Sequence, residues 1–278
     1  MNAVIASILL VFLAALSGGT NAFAEADSPV ASVLIVTTHN KAQDQIEIRA
    51  HDDAQSQSKR TAFNRAEPPI NSPALAEPFG LHAVPVATGN LLAKWRSVEA
   101  DISAESKILA QCRENTAHCP SAARTFLAII AEGRVRTGRA RIGVINRAIN
   151  LSIRPLSDLT QWGVEDLWTA PLATLTTGFG DCEDYAVAKY VALREAGVAA
   201  EDVQVIIVHD LAVDADHAVV AVHLEGRWII LDNRRMALAD DKEMRRMIPL
   251  FGLDHDGLKQ FDLATMPGTT HIGAVRPH

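Results

Sequence analysis

The stretch Gly178-Phe179-Gly180-Asp181-Cys182-Glu183-Asp184-Tyr185-Ala186 is the point where a glycine-flanked loop gives way to a helix. Tyr185, Ala186, Lys189, Tyr190, Val191 and Leu193 carry on with helical spacing, and Gly197 supplies the stop. Upstream, Leu91, Leu92, Trp95 and Val98 share one helix face. A second apolar segment covers residues 122–132, with Gly133 and Gly138 expected to interrupt it. A third helix over residues 139–151 carries Ile142, Ile145, Ala148 and Ile149 toward a core. Residues 162–181 read as a loop with the aromatic anchors Trp162 and Trp168. Downstream the period changes. Residues 203–208 form an unbroken apolar run, and residues 217–223 and 227–232 flank Glu225-Gly226 as a tight hairpin. Helices first and an antiparallel sheet afterwards give an α+β fold, with helices packed on the sheet.

The nucleophile position follows from that order. A cysteine in the first turn of a helix meets free N–H groups and the positive end of the helix dipole, which favour a thiolate and can hold an oxyanion. Cys182 stands there. Its polar neighbours Asp181, Glu183 and Asp184 argue against an inert thiol in an apolar pocket. A cysteine nucleophile needs an imidazole to share its proton and a third group to orient the ring. His217 opens one strand of the hairpin and Asp232 closes the other, and a hairpin brings those two ends together. Cys182, His217 and Asp232 are therefore the expected catalytic set. His209, His223, His255 and His271 show no comparable pattern and read as surface or loop residues.

Composition bounds the rest. The 278-residue chain is 48% hydrophobic and carries a net charge of −7, with no Lys- or Arg-dense stretch, which excludes a phosphate-backbone binder. The arginines between Arg134 and Arg147 alternate with apolar residues and read as a solvated helix face. Residues 4–16 are almost wholly apolar and lead to Ala22-Phe23-Ala24, so residues 1–24 read as a removable signal peptide and the protein as periplasmic. The competing reading, an uncleaved anchor, needs a run of about 20 apolar residues. Residues 25–80 open with a strand-like run (31–38) and continue polar and proline-rich, as expected of a flexible arm. The catalytic domain is expected over residues 81–265 and a C-terminal extension over 266–278. Export gives meaning to Cys112 and Cys119, which enclose a short polar loop and suit a disulfide. Two free thiols, or half of a zinc site with His118, are the alternatives.

These motifs also resemble a known family. Residues 180–186, His217-Ala218-Val219 and Trp228-Ile229-Ile230-Leu231-Asp232-Asn233 are similar to the bacterial transglutaminase-like cysteine proteinases. The likeness begins near Ile145-Asn146 and includes Trp162-Gly163, Asp166-Leu167-Trp168 and Pro171. It implies a papain- or transglutaminase-like fold and a Cys-His-Asp triad at Cys182, His217 and Asp232. The LapG-type periplasmic members of the family imply calcium as cofactor, a large surface adhesin as substrate cut near paired alanines, and control of biofilm by an inner-membrane receptor responsive to cyclic-di-GMP. Asp181, Glu183 and Asp184 match the acids associated with calcium there. The same three acids also suit a helix N-terminus with no metal at all. An amine-transferring transglutaminase, an amidase and a noncatalytic binding module are the other functions open to this sequence.

Overall fold

The computed structural model describes residues 77–265. The signal peptide, all but the last residues of the N-terminal arm with its strand-like run, His271 and the C-terminal extension lie outside the described residues. Six α-helices are described: α1 (Asn90–Glu114), α2 (Ser121–Arg134), α3 (Gly138–Ser152), α4 (Asp158–Trp162), α5 (Pro171–Thr177) and α6 (Cys182–Glu195). The strands are β1 (Ala83–Val86), β2 (Arg154–Pro155), β3 (Phe179–Gly180), β4 (Val203–Asp210), β5 (Ala215–Leu224), β6 (Arg227–Leu231), β7 (Ala239–Asp240), β8 (Met247–Asp254) and β9 (Gly257–Phe261). Seven of them form one antiparallel sheet in the order β1-β9-β8-β4-β5-β6-β7, and β2 pairs with β3 in a separate parallel ribbon. The α+β reading holds. None of the described helices is long and apolar enough to cross a membrane.

The central strands are buried on both faces, which explains why β4 and β5 read as continuous apolar runs rather than alternating ones. Ala218, Val220 and Val222 join the helix-side core with Trp95, Phe126, Ile145, Ile149 and Leu193. Val219 and Ala221 pack on the other side with Ile206, Trp228 and Ile230. Trp95 is fully buried, meets Trp168 and Tyr190 edge to face, and donates to the Asp254 carbonyl at 3.1 Å. The β5–β6 turn uses Glu225 (φ 52) and Gly226 (φ 77), two left-handed residues in succession as a tight hairpin requires.

Three local expectations need correction. Gly133 does not interrupt α2. It lies inside the helix, where a Cβ would come within 2.7 Å of Ile145, so its lack of a side chain lets α2 and α3 approach. Gly138 starts α3. The stretch before the nucleophile is not all loop, since α5 begins at Pro171, whose fixed φ suits a first helical turn, and Trp162 ends α4 exposed rather than anchored.

Cys112 and Cys119 form the disulfide, with Cα atoms 5.1 Å apart. It ties the last turn of α1 to the start of α2, and both sulfur-bearing residues are buried in the helix-side core. Replacing both cysteines by Ser should lower unfolding stability by about 2 kcal/mol, because the cross-link restricts the unfolded chain. A smaller denaturant midpoint with an unchanged urea slope would show it. An unchanged midpoint would mean that the bridge adds nothing to stability.

Candidate active site

β2 and β3 set the entry to α6. Their parallel pairing places Pro155 opposite Gly180, and a Cβ on Gly180 would lie 2.6 Å from an Asp184 oxygen, so only glycine fits there. Asp181 caps α6, and Asp184 reaches back to accept from the Asp181 N–H at 3.3 Å, the returning half of a capping box. Cys182 occupies the first helical position. Its sulfur lines an open cleft of about 530 Å³. Pro155, Leu156, Ser157 and Thr160 line the cleft together with Asp181, His217, Asn233 and Arg234.

The β5–β6 hairpin delivers the partners. Its ladder ends at Val220 opposite Leu231, so His217 and Asp232 project from just beyond the last pair. His217 Nε2 and Asp232 Oδ1 are 2.9 Å apart, with both residues buried. The nitrogen left for a thiol is Nδ1. Asp232 Oδ1 also accepts from the Arg234 backbone N–H at 2.9 Å, and the Arg234 guanidinium pairs with Asp210 at 2.9 Å. Asn150, on α3, donates to the Asp232 carbonyl at 3.0 Å. Burial alone would raise the Asp232 pKa. The bond to His217, the Arg234 N–H and the nearby positive charges outweigh burial and hold the carboxyl at about 2.

The thiol differs from expectation. The Cys182 sulfur donates to Glu183 Oε2 at 3.1 Å. Its pKa is pushed well above the ordinary thiol range, first by burial and then by the charge of Glu183 and Asp181, while the Ala218 N–H acts in the other direction. Helix-end N–H groups favour a thiolate, but here burial and two flanking carboxylates overcome that preference.

Those carboxylates belong to a larger cluster. Asp158, Asp181 and Asp184 bring oxygens within 4.8 Å of one another, and so do Asp158, Asp166 and Glu183. Asp158 Oδ1 and Asp181 Oδ1 are buried with no hydrogen-bond partner. Burial raises the Asp158 and Glu183 pKa values, Asp181 adding to both, and burial lifts Asp184 to about 6. Crowded oxygens, most of them on buried residues and two without a partner, are what a hard cation requires, so this group could hold a metal, with exposed Asp166, which pairs with Lys94, at its edge. Asp184 differs from the rest because Thr169 and the Asp181 N–H already occupy its two oxygens. The three acids expected from the sequence are thus brought together. Asp158 and Asp166 were missed because they arrive from α4 and the following loop, at no fixed spacing from Asp181. Three histidines read as unpaired also have acidic partners: His209 with Asp214 and Asp216, His223 with Asp202, and His255 with Asp256. They lie away from the cleft lining.

Comparison with known proteins places this geometry. No curated protein matches the chain. Among solved structures, calcium-bound LapG of Legionella pneumophila is 19% identical with a TM-score of 0.48, covering 56% of this chain and 86% of that one. The EGTA-treated form of the same protein is also 19% identical at 0.48, covering 58% and 87%. The family model for bacterial transglutaminase-like cysteine proteinases matches residues 102–244, more than half of the chain, from the middle of α1 to past Asp232. This chain belongs to the bacterial transglutaminase-like cysteine proteinase family.

Proposed function

We propose that this chain is a periplasmic endopeptidase in which Cys182 attacks a peptide carbonyl, His217 moves the proton and Asp232 orients His217. The observation that carries the reading is the 2.9 Å contact between buried Asp232 and His217, with His217 and the one cysteine that is not in the disulfide lining the same cleft. The thiol proton passes to His217 Nδ1 as sulfur bonds to the carbonyl carbon. Backbone N–H groups in the first turn of α6 meet the developing oxyanion. The imidazolium, held by Asp232, then protonates the leaving amine, and a thioester remains on Cys182. Water activated by His217 adds to the thioester, releases the acid and restores the thiol.

Calcium is the cation proposed for the acidic cluster, held by Asp158, Asp166, Asp181 and Glu183, whose oxygens are hard donors. When bound, it supplies positive charge that offsets the carboxylates opposing a Cys182 thiolate. The substrate is proposed to be a large surface adhesin, and the controlling partner an inner-membrane receptor responsive to cyclic-di-GMP, so that proteolysis would set adhesion and biofilm. Both rest on the family resemblance. The disulfide suits an oxidising compartment and supports export through residues 1–24. Hydrolysis and amine transfer share the thioester, so a labelled amine offered with a glutamine peptide separates them. Label in the product would establish a transglutaminase in place of a peptidase.

A further inference from the structure

The segment that joins β6 to β7 carries three residues of the site, Asp232, Asn233 and Arg234, yet among the described residues no strand pairs with it. The β5–β6 ladder ends at Leu231, and β7 meets β6 at Ile229 and Ile230, before Asp232 is reached. The chain then turns to the surface, with residues 234–237 exposed. Bonds inside the turn, from the Arg235 N–H to the Asp232 carbonyl at 3.2 Å and from the Arg234 N–H to Asp232 Oδ1 at 2.9 Å, set its shape but not its place in the molecule. The Arg234–Asp210 pair ties it through a side chain that is 40% exposed, where water weakens an ion pair.

The firmer hold comes from α3. Asn146 and Asn150 are four residues apart, so they share one helix face, and both are buried. The Asn150 amide donates to the Asp232 and Arg235 carbonyls, both at 3.0 Å. The Asn146 amide donates to the Arg235 carbonyl at 3.1 Å and to the Met236 carbonyl at 3.3 Å. Carbonyls accept and never donate, so these partners fix which end of each amide faces the turn. The opposite ends find nothing, since Asn146 Oδ1 and Asn150 Oδ1 are buried without a partner. An unpaired buried oxygen is costly, and two apolar side chains would fill the same space without that cost, so what the fold retains here is the pair of donors.

We propose that Asn146 and Asn150 are positioning residues for this reaction, an amide pair that anchors the turn at residues 232–236 to α3 and so holds the Asp232 carboxylate on His217 Nε2. The proposal rests on the catalytic reading of His217 and Asp232. The two amides act through Asp232: with the turn fixed, the carboxylate accepts from Nε2 and leaves Nδ1 to take the thiol proton. A slack turn lets the carboxylate drift and the imidazole exchange tautomers.

Asn150→Leu keeps the bulk of the side chain without its donors and frees the Asp232 carbonyl. Two readouts report on the ring rather than on folding. One is the rate of iodoacetamide labelling at Cys182, followed by intact mass with calcium present. The other is the tautomer of His217, read from the ring-nitrogen resonances of histidine-labelled protein at about pH 8, where an ordinary imidazole is neutral. Ile130→Val loosens the same helix-side core from α2, which makes no hydrogen bond to the turn among the described residues, and controls for lost stability.

Asn150→Leu should label about tenfold more slowly than wild type at neutral pH and His217→Ala about a hundredfold, with Ile130→Val unchanged. Wild type should hold the Nε2–H tautomer that the Asp232 contact selects, and Asn150→Leu should show a mixture. A wild-type rate and a single tautomer in Asn150→Leu, beside a slow His217→Ala, overturn the inference and leave the triad standing. So does a slow Asn150→Leu with an unmoved tautomer, which places its effect elsewhere than on Asp232, and so does an equal loss in Ile130→Val. A His217→Ala that labels at the wild-type rate overturns the catalytic reading as well. Should Asn150→Leu fail to fold, Asn146→Ala loosens the far end of the same turn and carries the same readouts, with an expected fall of about threefold. A wild-type rate there overturns the inference.

Discussion

Cys182→Ala and His217→Ala should each reduce turnover by on the order of 10⁵-fold, and the double variant should be little worse than either alone. The reason is mutual dependence. A thiol held protonated by burial and by Glu183 and Asp181 is a poor nucleophile until His217 takes its proton, and His217 has no nucleophile to activate once the sulfur is gone. Asp232→Asn should cost about 10³- to 10⁴-fold, since an amide can donate to Nε2 and favour the wrong tautomer. All four variants should stay folded, because the cores on both sheet faces do not depend on these side chains. Additive losses in the double variant would show that Cys182 and His217 act in separate steps.

Metal removal is the second large effect. Chelation should lower turnover at least a hundredfold and also lower the melting temperature, because an ion that binds only the folded protein stabilises it by mass action. The sign follows from the cluster. Without a cation, Asp181 opposes the charge on both Asp158 and Glu183, and burial with Glu183 and Asp181 holds the thiol protonated. Asp158→Asn should reduce calcium affinity by calorimetry and remove most of the calcium-dependent rise in melting temperature, while leaving the disulfide and the His217–Asp232 contact in place. Equal melting temperatures in calcium and in chelator, with equal activity, would leave these acids as braces of the helix start alone.

The parts of the fold that were legible in the sequence are those whose pattern is local. The α6 start, the β5–β6 hairpin and the buried β4 run each announce themselves within about ten residues. The hairpin then supplied the long-range contact between His217 and Asp232 without further information. Two strands of the sheet were not legible. Edge strand β1 is four residues long, includes Pro85 and pairs with distant β9, and β8, inside the sheet, carries Pro249 and a register shift against β4. α5 escaped notice because its residues include four threonines and alanines among two leucines, a weak helical period. Electrostatics was the least legible level. The sequence placed acids beside Cys182, but the raised thiol pKa depends on burial and on Glu183 folding back onto the sulfur, and the acidic cluster depends on Asp158 and Asp166 arriving from α4 and the loop after it.

The claim that this chain is a cysteine endopeptidase is tested most directly by incubating the mature protein, in calcium, with a large adhesin from the same cell and identifying new chain ends by mass spectrometry. Wild type should cut at a defined site, and Cys182→Ala at matched concentration should leave the adhesin whole. Cleavage at the same site and rate by Cys182→Ala would contradict the account.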